Sequence, residues 1–209
     1  MSWHKGDPGG RRGYHHGNLR EALIEAALRL ISEKGPAGFT FAEAARAAGV
    51  SPAAPYRHFR DRDALLADVA LRGFSAFEEA LRQAWAGGHP NARAAFDRVG
   101  RAYLDFARTQ PAYFSAMFES GLALDRHPEA RAAGDRAFEV LREACAALAE
   151  TLPAAKRPPT LMMALHVWAL AHGIATLFGR ADAARRPIPM AAEDLLEAGV
   201  LVYLAGLDR

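Results

Sequence analysis

Apolar residues recur at helical spacing along most of the chain, and prolines and glycines cut the pattern into segments. Between Asn18 and Lys34, residues Leu19, Leu23, Ala26, Ala27, Leu30 and Ile31 fall on one face of a 3.6-residue repeat, which predicts a helix. Thr40 followed by Glu43 is a capping box, in which each side chain satisfies a backbone N–H that a first helical turn leaves orphaned. Phe41, Ala44, Ala45 and Ala48 continue that helix, and Gly49 can take the left-handed conformation that ends it. Ser51 as N-cap and Pro52 as first residue open a second short helix, to Phe59. Asp61 caps a long helix to about Trp85, closed by Gly87-Gly88-His89-Pro90. Further helices are expected over Asn91–Thr109, from Pro111 to Gly121, from His127 or Pro128 to Thr151, from the Pro158-Pro159 pair to about Arg180, and over Met190–Leu207.

Composition agrees with an all-α chain, because valine, isoleucine and threonine are scarce beside alanine, leucine and arginine. The single cysteine, Cys145, has no intramolecular disulfide partner and lies in an apolar helical run, where it reads as a small buried filler. The stretch 161–178 carries no Asp, Glu, Lys or Arg. It barely reaches the roughly 20 apolar residues a bilayer span requires, and His166, His172, Gly173 and Thr176 interrupt it, so a helix buried on all sides by protein is expected rather than a membrane segment. With no apolar segment behind the basic N-terminal residues, a cytoplasmic protein is expected. No set of carboxylates and histidines has metal-ligand spacing, and no cofactor motif is present.

The formal net charge is only +2, but up to Leu65 ten basic residues stand against seven acidic ones, and the remainder is slightly acidic. The excess comes from Lys5, Arg11, Arg12 and Arg20, which face only Asp7; residues 1–16 form a Gly-, His- and Arg-rich segment expected to be a flexible basic arm. Over Thr40–Arg62, two short helices joined by a glycine turn end in a basic and aromatic cluster. That arrangement suits a DNA major groove, where one helix braces while the other presents its surface to the bases; it also fits an ordinary helical hairpin.

Gly49-Val50-Ser51, Tyr56-Arg57-His58-Phe59 and Arg62-Asp63-Ala64-Leu65-Leu66 together resemble the N-terminal DNA-binding domain of TetR-type transcriptional regulators, densely over about Gly17–Leu66. The run from His166 to Gly173, with Trp168 and His172, looks like the tryptophan–histidine–glycine signature of one C-terminal subclass of that family. The resemblance implies a helix-turn-helix domain over 17–65 and a helical effector-binding and dimerisation domain over 66–209. It also implies a homodimer, released from double-stranded DNA by a small ligand. Tyr56, His58 and Arg62 match family positions that hold the DNA backbone. Thr40 offers a further phosphate donor, Arg57 reaches a phosphate or a guanine edge, and Ser51 and Ala53 sit where short side chains meet thymine methyls. Arg11 and Arg12 in the arm are candidates for an adjacent minor groove. Pro55 departs from the family pattern, which carries a branched aliphatic residue there. It removes an N–H and crowds the carbonyl four residues back, leaving open which side chains face the bases.

Beyond the DNA-reading end, Trp85, Phe96, Tyr103, Phe106, Tyr113, Phe114, Met117, Phe118, Met162, Met163 and His166 are candidates to line an apolar effector cavity, although each singly fits a plain core. The expected effector is a small hydrophobic or aromatic molecule. Trp168, His172 and Ala175, with Leu195, Gly199, Val202 and Tyr203, form two stripes expected at a dimer seam, as a four-helix bundle between copies, although Trp168 and His172, at i and i+4, also fit internal packing. Two rivals stay open: an all-helical small-molecule-binding enzyme, for which no catalytic motif is found, and a regulator that takes no ligand.

Overall fold

The computed structural model describes residues 19–178 and 189–207, and among them every regular element is helical. Eight α-helices follow in order: α1 Leu19–Lys34, α2 Phe41–Ala47, α3 Arg62–Trp85, α4 Ala92–Thr109, α5 Pro111–Phe118, α6 Pro128–Glu150, α7 Thr160–Phe178 and α8 Ala192–Leu207. Local chemistry sets the starts. Asp61 accepts the N–H of Ala64 at 2.8 Å ahead of α3, and Asn91 accepts that of Ala94 at 2.9 Å ahead of α4. At the end of α3 the chain reverses through left-handed Ala86, Gly87 and Gly88. Ala86 is a non-glycine residue at φ 47°, held there because Arg98 of α4 donates to the carbonyls of Ala84 and His89 on either side.

Two hydrophobic cores share helix α3. The first gathers Leu23, Ile24, Ala27, Leu30 and Ile31 of α1 with Phe39, Ala44 and Phe59, and takes Leu65, Leu66 and Val69 from the first two turns of α3. From Ala70 onward the same helix contributes Phe74, Phe77, Leu81 and Trp85 to the second core, built with α4 to α8. Helix α5 touches both. Ala116 is fully buried in the first core, whereas its neighbour Met117 is buried in the second. Gly73 makes this close approach possible, since a Cβ there would stand 2.8 Å from the sulfur of Met117.

Helix α7 differs from the expectation of burial on all sides. It is long and apolar enough to cross a membrane by length and composition, yet only 33% of that window is buried. Met163, Ala164, Val167, Ala171, Ile174 and Ala175 face the core, while Leu161, Met162, Leu165 and Leu177 are exposed. One subunit supplies packing partners for one side of the helix only.

Candidate functional site

The segment expected to form a helix over Pro52–Phe59 is instead a single 3-10 turn, Ala54–Arg57. Two prolines account for the difference. Neither Pro52 nor Pro55 has an N–H to give, so the bonds that remain are local: Ala54 to the Ser51 carbonyl at 3.0 Å, and His58 and Phe59 to the Pro55 carbonyl at 2.9 and 3.0 Å. No side chain caps the turn, and Ser51 contributes its carbonyl rather than its hydroxyl. Pro55 and Phe59 are buried, and pin the turn to the first core. Between and around these anchors Ser51, Ala53, Tyr56, Arg57 and His58 are all exposed. Tyr56 is 63% exposed and rests edge-on against Phe41 of α2, with ring centroids 5.1 Å apart. The short turn thus presents a phenol, a guanidinium and an imidazole in succession, groups able to donate hydrogen bonds to phosphates or base edges.

The capping box ahead of α2 is formed. Thr40 Oγ1 accepts from the Glu43 N–H at 3.2 Å, and Glu43 accepts from the Thr40 N–H at 2.7 Å and from its hydroxyl at 3.0 Å. The Thr40 hydroxyl proton, expected to be available to a phosphate, is therefore engaged by Glu43. Lys34, then the Thr40 N–H and hydroxyl, hold the Glu43 carboxyl down at about 2.

Arg62 departs further from its expected place on the DNA backbone. Its Nε donates to the Phe39 carbonyl at 2.8 Å, Nη2 donates to the Pro36 carbonyl, and Nη1 lies 3.5 Å from Asp63. The guanidinium carbon sits 4.8 Å from the centroid of the Phe39 ring. On the opposite side, Arg20 of α1 lies over the Phe59 ring at 5.4 Å and grips the buried Asp68 carboxylate at 2.7 and 3.3 Å. Asp68 is also 3.7 Å from Arg72, which bonds Glu21 at 2.5 Å. The Arg20–Asp68 and Arg72–Glu21 links join residues 48 and 51 positions apart and carry no local sequence signal. Arg11 and Arg12 lie outside the described residues.

Behind α5 the second core opens into a cavity of about 440 Å³, within the roughly 300–1,000 Å³ usual for small-molecule sites. Of the expected lining, Phe96, Tyr103, Met117 and Phe118 are on its wall. Trp85, Phe106, Phe114 and Met163 are buried in the packing, and Tyr113 bridges the two cores. Met162 and His166 are on the exposed side of α7, turned away from it. The wall also takes Phe74 and Phe77 from α3, Phe138 and Leu141 from α6, and Trp168 from α7. The aromatic pair at i and i+3 on the long helix was the available signal for the first two. At the cavity wall, Trp168 donates Nε1–H to the Tyr103 oxygen at 3.2 Å, and that hydroxyl meets Nδ1 of His172 at 2.9 Å. The phenol oxygen has two lone pairs, so it either gives its proton to Nδ1 or accepts from it, according to the His172 tautomer. Burial pushes Tyr103 up and His172 down from their ordinary ranges, so both are neutral at pH 7. Charged residues on the lining are Asp97, Asp125, Asp135, Glu193 and Glu197 against Arg101 and Arg131. No group of three or more His, Cys, Asp or Glu side chains suited to a metal occurs among the described residues.

The expected dimer stripes are also re-phased. Trp168 and His172 belong to the cavity wall and its network, and Ala175 is buried. Gly199 lets α8 pack on Leu170 within the same subunit, where a Cβ would stand 2.6 Å from Leu170 Cδ2. Leu195 and Tyr203 are partly buried against the second core. Val202, 74% exposed, does point outward, and Leu201 of α8 and Met162 and Leu177 of α7 are also uncovered apolar residues, while Leu165, also exposed, stands on the cavity wall.

Comparison with known proteins agrees with this architecture. Residues 23–69 match the family model of bacterial regulatory proteins of the tetR family, and residues 96–202 match that of the tetracyclin repressor-like C-terminal domain. A 47-residue stretch is 47% identical to the HTH-type transcriptional regulator BetI of Rhizobium meliloti; it spans 22% of this chain and only about a quarter (23%) of that relative's length. Among solved structures, a protein of unknown function from Rhodococcus sp. RHA1 is 30% identical, with a TM-score of 0.74 over 95% of this chain and 100% of that one. PfmR, a TetR family transcriptional regulator from Thermus thermophilus, shares the fold at 23% identity and a TM-score of 0.68, covering 90% of this chain and 99% of its own. With more than half of its length accounted for by the C-terminal model and its head by the N-terminal one, this chain belongs to the TetR family of transcriptional regulators.

Proposed function

We propose that this regulator is a ligand-responsive repressor that binds a palindromic operator as a homodimer and is released by a small, fairly hydrophobic effector. The observation that carries the reading is the join between two sites. An exposed turn bearing Tyr56, Arg57 and His58 is tied, through α3 and α5, to an apolar cavity of about 440 Å³. A ligand against Met117 and Phe118 pushes on α5, whose Ala116 is set in the core of the DNA-binding head. Such a push shifts the equilibrium only as far as the ligand prefers one position of the head over the other. In a dimer the two turns enter successive major grooves, roughly 34–36 Å apart for half-sites one helical turn apart. The uncovered face of α7 and α8 suits self-association, with α7 and α8 of each copy forming a four-helix bundle. Arg11 and Arg12 extend the contact into a flanking minor groove.

Selection of bound fragments from random duplex DNA tests the first half of the reading, and a two-fold symmetric consensus is the expected product. Removal of residues 1–12 is expected to weaken binding to it and flatten the salt dependence. Titration of hydrophobic compounds into the complex tests the second half, read as loss of the retarded band. A chain that retains no DNA at low salt overturns the proposal.

A further inference from the structure

The recognition turn is too short to orient itself. It spans four residues, has no side-chain cap, and is anchored by buried Pro55 within it and buried Phe59 just after it. That packing holds the turn against the first core, and contacts at its ends can add to its orientation. Arg62 follows the turn, and its Nε and Nη2 reach back across 23 and 26 positions to the carbonyls of Phe39 and Pro36, the residues that lead into α2. This closes the helix-turn-helix unit between its entry and its exit. The Phe39 ring, 3% exposed, forms the floor beneath the guanidinium at 4.8 Å. Arg62 itself is only 26% exposed, so the donors that match a phosphate are turned toward the protein.

Resting on the reading that this head binds DNA, we infer that Arg62 is a positioning residue of the DNA-binding site. It sets the attitude of the Tyr56–His58 turn by closing the unit from Pro36 to Arg62 and does not itself neutralise a phosphate. The planar fork is essential to this role, because two carbonyls at a fixed separation and an aromatic floor are met together by guanidinium and not by a flexible ammonium.

The two roles separate in a salt titration of DNA binding. Each phosphate neutralised contributes about 0.9 to the slope of log K against log salt, so losing one per subunit flattens a dimer's slope by about two. For Arg62→Lys and Arg62→Ala we expect affinity for the selected duplex to fall roughly tenfold or more, with the slope of the wild type retained. Arg57→Ala, at the exposed tip of the turn, is the reference for a flattened slope. Phe39→Leu keeps an apolar core residue, removes the aromatic floor and alters no charge; it is expected to weaken binding in the same sense, and it carries the test if Arg62→Ala does not fold. Melting curves fix an assay temperature at which every variant is native. Wild-type affinity in Arg62→Lys, or a slope flattened by about two in Arg62→Ala, overturns the inference. Failure of the wild-type chain to bind any duplex overturns the DNA-binding reading instead.

Discussion

Replacing Tyr103 by Phe removes one oxygen from the cavity wall and leaves the ring in place. The ring keeps its edge contacts with Phe77 and Phe114, at centroid distances of 5.1 and 6.2 Å, so packing is preserved. What is lost is the acceptor for Trp168 Nε1–H at 3.2 Å and the hydrogen-bond partner of His172 Nδ1 at 2.9 Å. Each such bond is worth about 0.5–1.5 kcal/mol net, so the pair represents about 1–3 kcal/mol. Water entering the cavity re-partners part of this, because the freed groups border a space large enough to hold it, and lowers the cost to about 1–2 kcal/mol. In a protein of this size each kcal/mol lowers Tm by about 2–4 °C, giving an expected drop of about 2–8 °C. Calorimetry at pH 7.5 measures it, and the emission of Trp168 reports its changed surroundings. The pH dependence has a definite sign. Burial depresses His172 below its usual 6.5, so the unfolded chain takes up a proton first and stability falls as pH drops from 6.5 through the folded value. Above 6.5 the histidine is neutral in both states and contributes no slope. A Tyr103→Phe protein that melts within about 1 °C of wild type would refute this account of the wall.

The Glu43 cap, depressed to about 2, gives stability that is full above its usual 4.5 and is lost progressively as pH falls from there through about 2, so a carboxyl titration by NMR should find its midpoint near that lower value; a midpoint at 4.5 would show the box to be open in solution. Among compounds sharing one hydrophobic skeleton, amines and neutral forms are expected to stabilise the protein in thermal-shift assays more than carboxylates, since the lining holds five acids against two arginines; a carboxylate that binds best would reverse that order. Val202→Asp places a charge on the exposed apolar surface of α8; if the proposed homodimer forms there, sedimentation at micromolar concentration should show a dimer for the parent chain and a monomer for the variant. An unchanged dimer would move the seam elsewhere.

Helix starts are legible because their chemistry is local: Thr40 with Glu43, Asp61 and Asn91 each cap within three residues. The turn at 54–57 is less so, since Ser51-Pro52 signals a helix start while Pro55 denies that helix its bonds, and only the packing of Pro55 and Phe59 decides between them. Helix α7 carries no charged residue, so its pattern marks a buried element without saying which face turns inward. That is why the pattern alone puts Trp168 and His172 at a seam and Met162 and His166 in a cavity, whereas Trp168 lines the cavity with His172 in its hydrogen-bond network and Met162 and His166 are exposed. Arg62 lies beyond local reading for a different cause. Its partners are two carbonyls more than twenty residues away, and carbonyls leave no trace in a sequence.

The change of core at Val69 and Ala70, inside an unbroken helix, bears on how portable the head of this protein is. A fragment cut at Leu65 forfeits Leu66 and Val69, and strips away Ala112, Tyr113 and Ala116 of α5, on which α1 packs. Grafting this reader onto a foreign sensor therefore means transplanting the matching side of α5 as well. Chimeras joined within the first turn of α3 should come out insoluble, whereas those that carry both surfaces together inherit a complete core.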